Sequence, residues 1–271
     1  MELRRYLSRI NYDGNTQPSP KLLAHLLQCH VFSVPFENLD IQLGIPVVND
    51  VEAVFEKIVG RNRGGWCYEQ NGLFGWALSE IGFDVTRVAA TTRRDERDPE
   101  DHANHLCLLV RMPEDCDTRY LADVGFGSSM IRPIPLEESW DEQAPFRLGL
   151  RRLEDGHWQF REESGADAVA FDFLAEPGNE SEMSARCVQL QTDPNSKFVL
   201  NLVAQIRTPD THIALRGRVL TVVSASGTKS RTLQSCGELM DILRNTFLLD
   251  VPEVASLWDR IDERHKQLFN D

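Results

Sequence analysis

The sequence predicts an α+β fold built from three consecutive parts, and three observations predict it. Up to about residue 83, apolar residues recur at three- and four-residue intervals, the period of an amphipathic helix. From Phe83 the period drops to two, the mark of a half-buried strand. Beyond about residue 190, short strand-like runs are followed by two more helical patterns. The parts are accordingly set at 1–83, 84–190 and 191–271, and neither an internal repeat nor a low-complexity linker interrupts them.

In the first part, Leu22, Leu23, Leu26 and Leu27 make a helical stripe, with Pro20 near its start. Pro35 then breaks the pattern. Asp50 caps a further helix carrying Val51, Val54, Phe55 and Ile58, which stops at Gly60. Leu73, Phe74, Ala77, Leu78 and Ile81 trace the last helix, ended by Gly82.

The second part begins with the alternating run Val85 to Thr92, followed by a charged loop over 93–101. Residues 105–111 form a strongly apolar strand, 113–117 a turn and 120–124 the returning strand. Residues 125–129 read as a glycine-containing loop. Short strands follow at 146–150 and 157–161, whereas 162–182 is acidic and weakly patterned. The third part opens on an apolar run over 197–207. Strands are expected at 211–215 and 218–223, and helices at 239–248 and 254–268.

Composition narrows the function. With 271 residues, 41% hydrophobic and 26% charged, the chain is long and apolar enough for a sizeable core. A net charge of −13 argues against sequence-independent binding to DNA or RNA. The first residues lack the apolar run of a signal peptide and no stretch could span a bilayer, so a cytoplasmic protein is expected. Six cysteines, Cys29, Cys67, Cys107, Cys116, Cys187 and Cys236, show no CxxC spacing, and His102 and His105 have no second ligand pair. Neither a disulfide framework nor a metal site is expected.

The chemistry concentrates at Arg63-Gly64-Gly65-Trp66-Cys67-Tyr68-Glu69-Gln70-Asn71-Gly72. Two glycines allow a tight turn or a close approach, and Cys67 falls at the start of the helix that ends at Gly82. Unpaired N–H groups and the positive end of the helix dipole favour a thiolate there, and a thiolate is the nucleophile. On this stretch alone, a reactive cysteine and a buried structural one both remain open.

A second argument concerns the hairpin. If Arg111 lies opposite Arg119, Cys107 lies opposite Asp123, and His105 and Asp123 share a face as diagonal neighbours. A carboxylate on one ring nitrogen fixes the tautomer and favours the imidazolium, which leaves the other nitrogen for a thiol. Asp123 sits in the apolar run Leu121-Ala122-Asp123-Val124, where an unpaired carboxylate would be costly, so it needs a partner.

Five segments, in this order, resemble the arylamine N-acetyltransferases: Val34-Pro35-Phe36-Glu37-Asn38-Leu39, Arg63 to Asn71, Asn104-His105-Leu106, Leu121-Ala122-Asp123-Val124-Gly125-Phe126-Gly127, and Pro194-Asn195-Ser196-Lys197-Phe198. The resemblance covers nearly the whole chain. It implies an N-terminal helical bundle, a central β-barrel and a C-terminal α/β lid, around a cysteine-protease-like core in which Cys67, His105 and Asp123 are the catalytic triad. It implies a ping-pong acetyl transfer, from acetyl-CoA through a Cys67 thioester to an arylamine or arylhydrazine, with no metal. Gly125, Phe126, Gly127 and Ser128 resemble the segment beside bound CoA. Arg9, Glu37 and Arg63 resemble a salt-bridge network beneath the site, and Trp66, Phe36 and Phe126 are candidates for an amine pocket. Trp66 and Tyr68 stand where many relatives carry Phe. The same triad would also serve an amide synthase that closes a macrolactam, or a cysteine hydrolase.

Overall fold

The structure, a computed structural model, describes residues 1–96, 102–127, 129–164 and 167–269. Its first part is helical: α1 (Leu3–Arg9), α2 (Pro20–Ser33), the short α3 (Leu39–Gln42), α4 (Val51–Phe55) and α5 (Cys67–Ile81). Ser19 caps α2, its side chain accepting from the N–H of Leu22, and Pro20 stands just inside. Asp50 caps α4, which relaxes into a π-helical turn over Glu56–Gly60. Gly82 ends α5 in the left-handed conformation, with φ +107°. Between α2 and α3 lies a two-residue strand, β1 (Phe36–Glu37).

The second part is an antiparallel sheet: β2 (Asp84–Thr92), β3 (His105–Met112), β4 (Asp115–Ala122), β5 (Ile134–Pro135), β6 (Ser139–Gln143), β7 (Phe146–Arg152), β8 (Trp158–Ser164) and β9 (Asp167–Phe173). The strand order is β5-β4-β3-β2-β9-β8-β7-β6, and the sheet coils into a nearly closed barrel. Within the β3–β4 pair, Arg111 lies opposite Arg119 and Leu108 opposite Ala122, which is the register expected from the sequence.

The weakly patterned stretch 162–182 contains a strand, β9. β9 pairs with both β2 and β8, and its Phe171 and Phe173 are buried. β8 precedes it directly, but β2 is remote in sequence, and the acidic flanks of β9 mask its alternation. β6 is a further strand without apolar alternation, because Ser-Trp-Asp-Glu-Gln is a largely polar run at the sheet edge.

After the barrel come α6 (Glu180–Thr192) and α7 (Lys197–Leu200). Then follow β10 (Val203–Arg207), β11 (Thr211–Arg216), β12 (Val219–Ser224), β13 (Gly227–Thr232), α8 (Cys236–Asn245) and α9 (Trp258–Phe269). A short 3-10 turn, Pro252–Leu257, leads into α9. The five-stranded sheet is ordered β1-β10-β11-β12-β13, so the first part lends one strand to the third. Phe36 lies opposite Gln205 and Glu37 opposite Ala204. β13 is exposed and polar, so no apolar alternation marks it.

Three apolar clusters result. One fuses the helical part with the barrel, and a second joins the five-stranded sheet to α8 and α9. The third gathers Phe36, Trp66, Cys67, Tyr68, Met183, Cys187 and Phe198, and so draws on all three parts. Among the described residues, no helix is long and apolar enough to cross a membrane.

Candidate active site

The loop before Cys67 is held from several directions. The N–H of Glu37 donates to the Gly65 carbonyl at 3.0 Å, and that of Gly65 to the Pro35 carbonyl at 3.3 Å. Gln70, one turn along α5, donates its amide to the same two carbonyls, at 2.7 and 3.2 Å. Gln70 is itself bonded to His30, and His30 to the Tyr6 hydroxyl at 2.8 Å. Burial pushes His30 down to about 3, against the hydrogen bond it donates to the Gln70 amide oxygen, so a neutral imidazole spans the bundle here. A side chain at Gly64 would strike the Pro35 carbonyl, with a Cβ only 2.1 Å from its oxygen. The Glu69 carboxylate accepts from the Trp66 N–H at 3.1 Å, as in a capping box.

Cys67 is the first residue of α5, among N–H groups with no partner inside the helix. His105 opens β3, and Asp123 follows β4 directly. The Nε2 of His105 donates to Oδ2 of Asp123 at 2.6 Å, with both side chains buried. Burial alone would lower the pKa of His105. The Asp123 charge and hydrogen bond reverse that, and a hydrogen bond with Cys67 adds to it, so the imidazole is pushed up to about 10. The ring is therefore cationic at neutral pH. Phe126 and Phe171 pack against it, with centroids 5.3 and 4.9 Å away.

The three residues expected from sequence to act together thus meet, although they come from two parts of the chain. They are also covered: Cys67 is 3% exposed and His105 2%. Ala103, Met183, Cys187 and Phe198 belong to the apolar cluster around the cysteine.

Residues 21–255 match the model of a family described as N-acetyltransferase. The chain is 37% identical over 262 residues to an arylamine N-acetyltransferase of Mycolicibacterium smegmatis, with 94% of each chain covered. The solved structure of the arylamine N-acetyltransferase from M. tuberculosis superposes with a TM-score of 0.88 at 32% identity, covering 96% of this chain and 100% of that one. The enzyme of Mycobacterium marinum in complex with CoA gives 0.86 at 31%, covering 98% and 99%. This chain belongs to the arylamine N-acetyltransferase family.

For this N-acetyltransferase, the structure also identifies a residue whose part the sequence did not reveal. Asn71, one turn beyond Cys67, donates to Oδ1 of Asp123 at 2.8 Å and to the Leu106 carbonyl at 2.6 Å, and accepts from the Val124 N–H at 3.0 Å. It pins α5 to the ends of both barrel strands. Its place one helical turn after Cys67 was visible; its partners, remote in sequence, were not.

The expected salt-bridge network is corrected. Arg9 meets no carboxylate among the described residues. Its guanidinium donates instead to the carbonyls of Ile58, Ser33 and Arg63, at 2.9, 2.7 and 3.2 Å. The ionic cluster consists of Arg63 with Glu37 and Asp40, and Lys57 with Asp40 and Glu69, at 2.8–3.0 Å, all buried. Burial would lower Lys57, but the surrounding carboxylates raise it instead; burial raises Glu69 despite its lysine partner. Lys57 and Asp40 escaped sequence reasoning because nothing near them in the chain signals burial.

In the segment compared with the CoA contact, Gly125 lies against Cys67 and its N–H donates to Asp123 at 2.7 Å. Phe126 packs beside His105 and is half-buried. Gly127 takes a left-handed conformation, with φ +71°, and its carbonyl is bonded to His212 at 2.7 Å. Ser128 lies outside the described residues. Trp66 is wholly buried, with Phe198 and Tyr68 edge-on to it at 5.1 and 5.5 Å, and it packs in the same apolar cluster as Cys67. Among the described residues, no group of three or more His, Cys, Asp or Glu is placed to hold a metal ion.

Proposed function

We propose that this protein transfers an acetyl group from acetyl-CoA to an arylamine or arylhydrazine by a ping-pong route through Cys67. The observation that carries the reading is the buried His105, held by Asp123 at 2.6 Å and hydrogen-bonded to Cys67. In the first half-reaction, the Cys67 sulfur attacks the carbonyl carbon of acetyl-CoA. The tetrahedral intermediate collapses to an acetyl-cysteine thioester as the CoA sulfur leaves, and His105 supplies its proton. In the second half-reaction, the amine nitrogen attacks the thioester, its proton passes to His105, and the Cys67 sulfur is released. Asp123 keeps the imidazole oriented and balances its charge. The N–H of Tyr68, next to the nucleophile at the helix start, donates to the developing oxyanion.

In this reading, residues 1–83 supply the nucleophile, 84–190 the histidine and the acid, and 191–271 the cover. Gly125, Phe126, Gly127 and Ser128 lie beside the incoming CoA, and the covering side chains shift to admit substrates. The protein works in the cytoplasm without a nucleic-acid partner. The net charge of −13 and the free thiols of the five described cysteines fit that setting.

Mass spectrometry of the protein after mixing with acetyl-CoA and no acceptor tests the reading. One acetyl group on Cys67, discharged on adding an arylamine with formation of the acetylarylamide, is the expected result. No adduct on Cys67 rules out the thioester route and leaves an amide synthase that does not use CoA. Discharge to acetate at a rate independent of amine makes the protein a hydrolase.

A further inference from the structure

A cavity of about 370 Å³ opens beside α9, against β11 and β12, and none of its lining residues belongs to the Cys67 site. Leu202, Val219, Ile261 and Leu268 give it an apolar surface. Its charged lining among the described residues is one-sided: Arg216, Arg218, Arg260 and Arg264 contribute, and no aspartate or glutamate does. The chain as a whole carries 42 acidic and 29 basic residues, so this local excess of cations runs against the background.

The arginines are poorly neutralised. Arg218 pairs with Asp262 at 2.5 Å, but that carboxylate also serves Lys266 at 2.6 Å. Among the described residues Arg260 donates only to neutral oxygens of Gln42, at 2.9 and 2.6 Å. Arg264 donates to the Gln267 amide oxygen at 3.3 Å, and its buried Nε has no partner among the described residues. Arg216 is exposed and its side chain makes no ion pair among the described residues. Guanidinium groups drawn together around a single shared carboxylate repel one another, and an anion relieves that repulsion. Their planar fork matches a carboxylate or a phosphate. The volume lies within the range of small-molecule pockets.

We propose that this cavity is a second ligand site, for a small anion with an apolar body. The anionic head rests on Arg216 and Arg264, and the body lies on Leu202, Val219, Ile261 and Leu268. The shared chemistry is a singly or doubly charged oxyanion on a medium-length hydrocarbon. A carboxylic acid and a phosphate monoester both supply it, and the experiment separates them.

Isothermal titration calorimetry of the full chain with octanoate, octyl phosphate and uncharged 1-octanol tests the site. At least one of the two anions binds at a single site, at least ten-fold tighter than 1-octanol. Alkylation of Cys67 with iodoacetamide leaves that binding unchanged. Arg216→Glu weakens it at least ten-fold with an unaltered circular dichroism spectrum, as this exposed side chain has no ion-pair partner among the described residues; Arg264→Gln weakens it as well. Tighter binding of octanoate identifies the ligand as a carboxylate, and tighter binding of octyl phosphate as a phosphate ester. The proposal is overturned if neither anion binds, if 1-octanol binds as tightly, if Arg216→Glu binds as the parent chain does, or if alkylation of Cys67 abolishes binding.

Discussion

Gly125 has no room for a side chain because Cys67 occupies the space. A Cβ there would lie 2.6 Å from the Cα of Cys67 and 2.7 Å from Nδ2 of Asn71. The loop after β4 therefore rests directly on the first turn of α5. That contact, with the hydrogen bonds of Asn71, sets Asp123 beside the start of the helix that carries Cys67. Gly125→Ala is expected to cost about 1–3 kcal/mol of stability through overpacking and to reduce acetyl transfer by more than the stability loss explains. Urea unfolding, with steady-state rates measured well below the midpoint, checks both; a variant with the parent's rate would dissociate this contact from catalysis.

Cys67→Ser leaves a hydroxyl at the same helix start. Loss of transfer by more than ~10³-fold, the scale seen when a nucleophile is removed, is expected, with near-native circular dichroism. Retention of a substantial rate would exclude an acyl-enzyme at this position.

Asp123→Asn keeps the shape but removes the charge that holds His105. Transfer should fall on the order of 10³–10⁴-fold, as when a buried triad acid is neutralised. Single-turnover formation of the acetyl-enzyme is the measurement, and a rate within a few-fold of the parent's would refute the assigned role.

The pH dependence of stability follows from the raised His105. Its folded value of about 10 exceeds the ordinary 6.5. The folded state therefore holds a proton that the unfolded chain has released between these limits, and stability falls with rising pH across that window. The contribution is complete below about 6.5 and gone above about 10. Urea unfolding from pH 6 to 10 should show this decline, and the decline should be shallower in Asp123→Asn. Equal slopes in the two proteins would contradict the pairing.

Lys57 sits buried between Asp40 and Glu69, at 2.9 and 2.8 Å. Lys57→Met would leave two buried carboxylates short of a cation, at a cost of about 3–5 kcal/mol. The midpoint of urea unfolding should drop accordingly. A loss below about 1 kcal/mol, the scale of a surface pair, would show that the cluster is more hydrated than its burial indicates.

Much of this protein could be read before any coordinates. The helix from Cys67 to Ile81 was legible from its apolar period and the stop at Gly82, and the β3–β4 register from the turn between the strands. That register placed His105 and Asp123 on one face, because adjacent antiparallel strands are local in the chain and alternate with a strict period of two. The apolar run around Asp123 already demanded a partner for its carboxylate. Only the tertiary structure decided what meets across long separations. Asn71 against Asp123, β1 joined to β10, β9 closing onto β2 and Lys57 between two acids each link residues whose neighbours in sequence say nothing of one another. Local pattern reports the face a residue turns inward; what awaits it there depends on how separate faces pack, and that is a property of the folded chain as a whole.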